Sequence, residues 1–358
     1  MLVRFRLFAL VLLAVLSTAA VAGATVPPGP RLAFVASHPY PKPGSEIATV
    51  GADGGLPLGL VGGSTSSAVS PIDDARPSWS ADGSAFAFTG VDGGANPAVF
   101  VAASDGTHLH VIPDSRQILF EGSPVLAPDG RSVAVLKVDV IAGQIERPAR
   151  ASALKKEKLK LRFAIWSLDV SGGGQRRLTP WARSSVLLPS SYSADGSALA
   201  ATQFKRGSPS PRAVSIDLAS GRTSVLAADA KEPVYAADGR VAAVRNHLGR
   251  RYPPLGVRSL ASSDLLVVPA LGGAPTRLIR VRGGLAWPSW DPSGQRLAFT
   301  KLNGGTPGTP LRSSNSIAEI NADGSCPTTL LSLKRGFFSG ASWQPGPDRG
   351  AGPIACAG

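Results

Sequence analysis

The segment PSWSADGSAFAF (77–88) has the pattern of two short strands joined by a tight turn. Asp82 can accept hydrogen bonds from the backbone ahead of it, and Gly83 tolerates the positive φ that such a turn requires. After the turn, Phe86 and Phe88 alternate with Ala87, and a period of two is typical of a strand. We therefore predict a β-hairpin in this segment.

The same pattern recurs four more times along the chain. The copies are SPVLAPDGRSVAVL from 123, SSYSADGSALAAT from 190, EPVYAADGRVAAV from 232 and WPSWDPSGQRLAF from 287. A second predicted hairpin follows each copy, with two apolar strands flanking a Gly-rich turn. Two hairpins make four strands, and four-stranded units repeated around an axis are the blades of a β-propeller.

The two ends of the chain together supply one more blade. Segments 31–37 and 45–61 provide three strands without an innermost one, and GASWQPG (340–346) provides an innermost strand with nothing after it. We predict an all-β, six-bladed propeller over residues 31–346 whose first blade is closed by the C-terminal strand. Such closure removes the exposed sheet edges. The 41 Gly and 31 Pro among 358 residues agree with many short strands and turns.

One aromatic residue recurs in most inner hairpins. Side chains repeated in this way are expected to pack between adjacent blades rather than to stack on a ligand. They are Trp79, Tyr192, Tyr235, Trp290 and Trp343.

The repeat resembles that of TolB-type propellers. The shared pattern is Trp-Ser-x-Asp-Gly followed by Ala-Phe or Ala-Val, an Ile/Val-rich strand, a Gly-rich turn and a terminal Leu178-Thr179. The resemblance covers roughly residues 31–346. It implies a fold, usually six-bladed, that occurs in bacterial envelope proteins and as the non-catalytic domain of some peptidases. The chain differs from TolB in the short stretch before its first blade, and it has no Gly-x-Ser-x-Gly elbow of a hydrolase domain.

Residues 1–22 are predicted to be a signal peptide. Arg4 and Arg6 precede an apolar run that ends in Ala-Val-Ala at 20–22, the small-x-small form of a cleavage site. The run is about 16 residues long, whereas a spanning helix needs roughly 20. We expect cleavage, a lead-in over 23–30, no integral membrane span in the mature chain, and a secreted or cell-envelope location. An uncleaved anchor is the alternative.

Two cysteines, Cys326 and Cys356, are present. An even count in an oxidising compartment favours a disulfide. Cys326 falls in a turn at one rim of the ring. The closing strand ends at the same rim and continues into a tail over 347–358 that contains Cys356. Both thiols are therefore predicted to lie on one face. Two free buried thiols are the alternative.

Strand direction divides the loops between two faces of the ring. If each innermost strand runs from a top rim to a bottom rim, the Asp-Gly turns lie at the bottom and the gaps between second and third strands lie at the top. The top gaps hold 17 Lys and Arg against four acids, within a formal net charge of +13. We therefore expect a basic top face. The gaps are 38–45, 90–97, 139–162, 205–212, 245–263 and 301–315.

The densest basic patch is an insertion in the third blade. On an exported protein it would attract another protein or an anionic envelope polymer, and the run lacks the aromatic residues that stack on nucleic-acid bases. A solvated flexible loop and a short amphipathic helix over 153–163 are alternatives. The patch consists of Arg147, Arg150, Lys155, Lys156, Lys158, Lys160 and Arg162.

The top mouth of the axial channel is the default binding site of a propeller, because the blade connections converge there. The candidate residues lie just before the innermost strands and in the links between blades, and their mixed chemistry specifies no ligand. They are Arg76, Glu121, Ser190, Glu232, Arg282, Trp287 and Arg335.

No catalytic set is evident. His108 and His110 alternate in an outer strand, but no third ligand lies nearby, so we expect no metal and no cofactor. The favoured function is that of a monomeric, non-enzymatic binding protein with a protein or anionic polymer as partner. The alternative is a lyase or hydrolase acting on an acidic polysaccharide, with His38 and His247 beside the Arg-rich gap at 250–251. That alternative requires a His, a carboxylate and an Arg to converge in the mouth.

Overall fold

The structure is a computed structural model, and it describes most of the chain after the N-terminal 28 residues. The described residues are 29–38, 44–62, 69–72, 76–92, 97–113, 115, 123–142, 160–252, 257–302, 315–332, 337–346 and 350–356. Within them, antiparallel strands form six sheets that are the blades of a ring, as the repeats predicted.

The strands follow one another blade by blade. Blade 1 holds β1 (Arg31–His38), β2 (Gly44–Gly51) and β3 (Gly54–Gly62). Blade 2 holds β4 (Ser70–Pro71), β5 (Ser78–Trp79), β6 (Ala85–Val91), β7 (Ala98–Ala103) and β8 (His110–Val111). Blade 3 holds β9 (Val125–Leu126), β10 (Ser132–Ala142), β11 (Lys160–Asp169) and β12 (Gln175–Arg177).

The second half of the ring is more regular. Blade 4 holds β13 (Ser185–Tyr192), β14 (Ala198–Lys205), β15 (Arg212–Asp217) and β16 (Thr223–Ala228). Blade 5 holds β17 (Lys231–Tyr235), β18 (Val241–Tyr252), β19 (Val257–Val268) and β20 (Thr276–Arg282). Blade 6 holds β21 (Gly284–Trp290), β22 (Arg296–Leu302), β23 (Asn315–Asn321) and β24 (Thr328–Ser332), and β25 (Phe337–Trp343) returns to blade 1.

The ring is closed by pairing of the two ends of the chain, as predicted. Strand β25 lies antiparallel to β1, with Leu32 opposite Trp343, and the blade order is β25-β1-β2-β3. Beyond the strand, the Gln344 side-chain amide donates to the Gly83 carbonyl at 2.8 Å. A Cβ at Gly83 would overlap the Pro345 carbonyl, so only glycine permits this approach. The closing strand is therefore fastened to blade 2 as well as to blade 1.

Six apolar clusters fill the six interfaces between blades, and the recurrent aromatics belong to them, as predicted. Trp79 lies between blades 1 and 2, Trp290 between blades 5 and 6, and Trp343 between blades 6 and 1. Tyr192 and Tyr235 pack against the clusters on either side of blade 4. Burial raises the pKa of Tyr192 to about 12.

The aspartates of the bottom turns stabilise those turns. Asp195 accepts hydrogen bonds from the Ser193 hydroxyl at 2.7 Å and the Ser197 amide at 3.1 Å, and Asp82 does the same with Ser80 and Ser84. These bonds favour the carboxylate form and lower the pKa of Asp195 to about 2. The same cause lowers the pKa of the equivalent aspartates Asp82, Asp105, Asp169, Asp217 and Asp323.

This set of turns predicts acid lability. Because the pKa values are lower in the folded state than the ordinary carboxyl value, their stabilising contribution is complete above about pH 4 and is lost as pH falls toward about 2. We expect the urea midpoint of unfolding to drop between pH 5 and pH 2.5, and Asp195→Asn to weaken that pH dependence. A midpoint that is constant over this range would contradict the assignment.

Two of the predicted top gaps are largely strand rather than loop. Strands β10 and β11 pair through residues 138–142 and 160–163, and β18 and β19 pair as far as Tyr252 opposite Val257. In β10, Val138 and Val140 alternate with Asp139, a pattern that suits an extended ribbon. Residues 160–163 are strand, so a helix over 153–163 is wrong for that part, and 143–159 lie outside the described residues. Strand β8 starts at His110, so His108 precedes it, with φ of 53°, instead of sharing the strand.

The predicted disulfide between Cys326 and Cys356 is present, with the two Cα atoms 5.1 Å apart. It fixes the tail against the bottom of blade 6. The Asn321 side chain exchanges two hydrogen bonds with the backbone of Ile354, at 2.6 and 3.0 Å. The Arg296 guanidinium donates to the carbonyls of Ala351 and Gly352. In the part of the chain that the structure describes, no helix is long and apolar enough to cross a membrane.

Candidate functional site

The top mouth of the channel is shaped by bulges in the innermost strands. In β13, β17, β21 and β25 the register slips by one residue at the same level, where Ser190, Glu232, Trp287 and Gly340 lie. Glu232 and Trp287 have φ values of 54° and 51°, which non-glycine residues rarely adopt. The sequence prediction placed Ser190, Glu232 and Trp287 just before the innermost strands, but they lie within them, because each strand continues past its bulge.

Arg76 crosses the mouth from blade 2. Its guanidinium donates to the Pro288 carbonyl of blade 6 at 3.1 Å and to the Ser190 carbonyl of blade 4, and its amide donates to the Ser123 hydroxyl at 2.7 Å. Burial lowers the pKa of Arg76 to about 10, although the nearby Glu232 carboxylate opposes the shift. The bulges supply the acceptors, because they turn these two carbonyls out of the strand ladder.

Glu232 links blades 5 and 6 beside Arg76. One carboxylate oxygen contacts the Lys231 ammonium at 2.6 Å, and the other accepts the Trp287 amide at 2.5 Å. The Trp287 ring meets the Phe337 ring edge-on, with centroids 6.1 Å apart. Four of the predicted residues therefore gather at the mouth, where they hold blades 2, 4, 5 and 6 together.

The remaining predicted mouth residues lie elsewhere. Arg282 ends β20, the outermost strand of blade 5, and is exposed on the top rim away from the axis. Glu121 and Arg335 lie outside the described residues.

A cavity of about 400 Å³ lies on the axis below Arg76. Its walls come from the innermost strands and include Trp79, Tyr192, Tyr235 and Trp290. Serine hydroxyls of alternate blades accept an amide N–H from the next blade. The pairs are Ser78 with Leu126 at 2.9 Å, Ser191 with Tyr235 at 2.8 Å and Ser289 with Trp343 at 3.0 Å. We did not predict this ring of bonds, although a serine before each of Trp79, Tyr192 and Trp290 was visible in the sequence.

A second polar cluster spans three strands of blade 5. The Asp264 carboxylate, which is 4% exposed, contacts His247 Nε2 at 2.8 Å and the Arg280 guanidinium at 2.6 and 2.9 Å. The hydrogen bonds from Arg280 are the main cause that lowers the pKa of Asp264 to about 2. A His, a carboxylate and an Arg thus converge, but on β18, β19 and β20 and not on the innermost strand at the mouth. Among the described residues, no group of three or more metal-binding side chains is found.

Solved structures with the same architecture are found by comparison with known proteins. No family model and no curated protein matches the chain. TolB from Acinetobacter baumannii matches with a TM-score of 0.60 and 18% identity, over 88% of this chain and 67% of that one. A structure from Agrobacterium tumefaciens assigned to TolB matches with a TM-score of 0.54 and 16% identity, over 86% of this chain and 91% of that one. The chain has the fold of a TolB-like six-bladed β-propeller.

Similarity at these identities establishes the fold alone. A chain of the nidogen/laminin complex also matches, with a TM-score of 0.52 and 13% identity over 88% of this chain and 98% of that one.

The top rim of the TolB-like propeller is rich in exposed cations at blades 4 and 5. Four of them have no carboxylate partner among the described residues, whereas the nearby acids Glu232 and Asp264 are each paired with a base. We call these four the basic rim: Lys205, Arg206, Arg212 and Arg282.

The predicted basic patch of blade 3 is described only at its C-terminal end. Lys160 is exposed, whereas Arg162 contacts the Asp139 carboxylate at 2.6 Å and lies 4.5 Å from the Trp181 ring centre. Arg162 is therefore held in place and neutralised by its neighbours. Arg147, Arg150, Lys155, Lys156 and Lys158 lie outside the described residues.

Proposed function

We propose that this chain is an exported, non-enzymatic binding module that engages a protein or an anionic cell-envelope polymer through its top face. The single observation that supports it most is the basic rim, where exposed cations of two neighbouring blades have no carboxylate partner among the described residues. Positive charge concentrated on one face attracts anionic partners and speeds their association.

The proposal also depends on export, for which two features argue. The apolar N-terminal segment resembles a signal peptide over residues 1–22, and the Cys326–Cys356 disulfide is the kind of bond that persists in oxidising compartments. We infer that the mature chain consists of the lead-in over 23–30, the propeller over 31–346 and the disulfide-tethered tail over 347–358, and that it acts as a monomer.

The basic rim predicts that binding to anionic polymers is electrostatic. A control variant that loses the same number of charges elsewhere distinguishes an effect of the rim from an effect of net charge. We expect the variant with Gln at all four basic-rim positions to bind alginate and polyglutamate at least tenfold more weakly at about 10 mM salt, where the Debye length is about 30 Å. The matched control carries Gln at four exposed positions away from the top rim: Arg131, Arg176, Arg177 and Arg222.

The two variants lose the same charge. Biolayer interferometry with immobilised polymer should therefore show a large loss of binding for the basic-rim variant and little change in binding for the control. Binding by the native chain should also fall at about 150 mM salt, where the Debye length is about 8 Å. Equal losses in both variants, or binding insensitive to salt, would refute the proposal.

A second candidate function is suggested by the cluster of His247, Asp264 and Arg280. Asp264 holds the imidazole by Nε2 and so orients Nδ1 as a base, while Arg280 adds positive charge that suits an acidic sugar. A lyase acting on polygalacturonate would release unsaturated products that absorb in the ultraviolet. Turnover by the native chain that His247→Gln abolishes would support the enzyme, and its absence leaves the binding module.

A further inference from the structure

The axial cavity ends at the Arg76 guanidinium, which has no carboxylate in contact with it among the described residues. Arg76 contributes five N–H groups in total, and the described contacts occupy two of them, with the carbonyls of Pro288 and Ser190. Arg76 is partly buried and lines the cavity, and its other guanidinium N–H groups have no acceptor among the described residues. The nearest carboxylate, that of Glu232, acts on Arg76 without an ion-pair contact and is itself paired with Lys231, so a ligand carboxylate in direct contact with the guanidinium is favoured.

The cavity walls add further donors without acceptors. The hydroxyls of Ser78, Ser191 and Ser289 each accept an amide N–H, and no acceptor for their own hydrogens is present in the part of the chain that the structure describes. The indole Nε1 atoms of Trp79 and Trp343 are buried and have no partner there either. By contrast, Trp290 Nε1 donates to the Val234 carbonyl at 3.2 Å.

Among the described residues, the acidic side chain that lines the cavity, Asp291, already accepts several hydrogen bonds. Asp291 accepts hydrogen bonds from the amides of Ser293, Gln295, Arg296 and Ala351. It is 2% exposed and belongs to the bottom turn, at the end of the cavity away from Arg76. The lining therefore presents an excess of donors near its closed end.

Most of the remaining wall is aromatic or aliphatic, which suits an organic body rather than a hydrated inorganic ion. We propose that the axial cavity binds a small organic carboxylate, whose oxygens face Arg76 and whose apolar part lies between the tryptophan and tyrosine rings. A carboxylate matches the two parallel N–H groups of a guanidinium. This site is separate from the basic rim and does not depend on the function proposed for it.

Access is from the bottom of the ring. At the top, Arg76 is hydrogen-bonded across the axis to blades 4 and 6. At the bottom, the cavity is lined by small or ring-constrained residues such as Pro128, Ala194, Pro292 and Gly346. The ligand would therefore enter between the Asp-Gly turns, on the face opposite to the one that sequence reasoning favoured.

The test compares phenylacetate with its neutral analogue phenylacetamide and with inorganic phosphate. Three of the cavity residues are tryptophans, so intrinsic fluorescence reports occupancy, and a ligand that binds only the folded chain raises Tm. We expect phenylacetate at 20 mM to raise Tm by about 2 °C or more, and to bind at least tenfold more tightly than phenylacetamide or phosphate.

Two variants locate the site independently. Arg76→Gln removes the cation, and Ala194→Trp narrows the bottom opening without touching Arg76; each should weaken phenylacetate binding at least tenfold. Arg222→Gln, an exposed change in a bottom turn of blade 4, is the control and should bind normally. If Arg76→Gln does not fold, Ala194→Trp still decides. No binding of phenylacetate, equal binding of phenylacetamide or phosphate, or full binding by Ala194→Trp would overturn the proposal.

Discussion

Trp343→Ala is expected to lower the free energy of unfolding by about 3 to 5 kcal/mol, the range found when a large core aromatic is truncated. Trp343 is 3% exposed, and it lies in the cluster that joins blade 6 to blade 1 and beside the β25–β1 pairing that closes the ring. Loss of its ring opens a void at the interface where the two chain ends meet.

The matched control is Trp181→Ala. Trp181 has Arg162 over its ring, as Trp343 has Arg296, but it is partly exposed and does not belong to the buried clusters between blades. Its loss should cost about 1 kcal/mol. Urea denaturation of both variants at pH 7 measures the difference. Equal destabilisation by the two substitutions would contradict the assigned role of Trp343.

The second large effect concerns a buried ion pair beneath the C-terminal tail. Arg296 Nη1 lies 3.1 Å from Glu319 Oε2, and the two side chains are 8% and 3% exposed. Glu319 Oε1 has no partner among the described residues. Arg296→Met would leave the Glu319 carboxyl group unpaired and remove the hydrogen bonds to the tail carbonyls. We therefore expect the free energy of unfolding to fall by about 3 to 5 kcal/mol.

A rescue separates the charge from the lost packing. Arg296→Met combined with Glu319→Gln should recover a large part of the stability, because no buried carboxyl group then has to bind a proton or hold an unpaired charge on folding. Arg240→Met is the matched control: Arg240 also binds a carboxylate, that of Asp238, and lies 4.7 Å from the Trp290 ring centre, but Asp238 is 52% exposed. We expect Arg240→Met to lower the free energy of unfolding by about 1 kcal/mol or less. A double variant no more stable than Arg296→Met would show that the charge is not the cause.

The same pair predicts a pH dependence opposite to that of the turn aspartates. Burial raises the pKa of Glu319 to about 7, so the folded state holds a proton that the unfolded state releases near pH 4.5. The contribution of Glu319 protonation to the free energy of unfolding is complete below about pH 4.5 and is lost as pH rises through about 7. Relative to Glu319→Gln, the native chain should therefore become less stable over that interval.

The blades could be predicted because each hairpin is encoded locally. Asp82 and Gly83 specify a turn within a few residues, and the unpaired ends of the repeat pattern imply closure by the strand that contains Trp343. The contacts at the mouth could not be predicted in the same way. Arg76 meets Pro288 and Ser190 only after three blades have been placed around the axis.

Two further features depend on register, which the repeat pattern does not specify. The bulges at Glu232 and Trp287 shift the strand by one residue, and no turn signal marks them in the sequence. The cluster of His247, Asp264 and Arg280 requires three strands of blade 5 to be aligned. The sequence pattern therefore indicates the height along the axis at which the site lies, but not which atoms come into contact there.

Amide hydrogen exchange tests closure of the ring most directly, because the positions of both faces, the cavity and the disulfide all depend on it. If β25 pairs with β1, peptides covering Phe337–Trp343 and Arg31–His38 should exchange together and as slowly as those of β14 in blade 4. Exchange of the Phe337–Trp343 peptide within seconds, while blade 4 remains protected, would contradict the closed six-bladed ring.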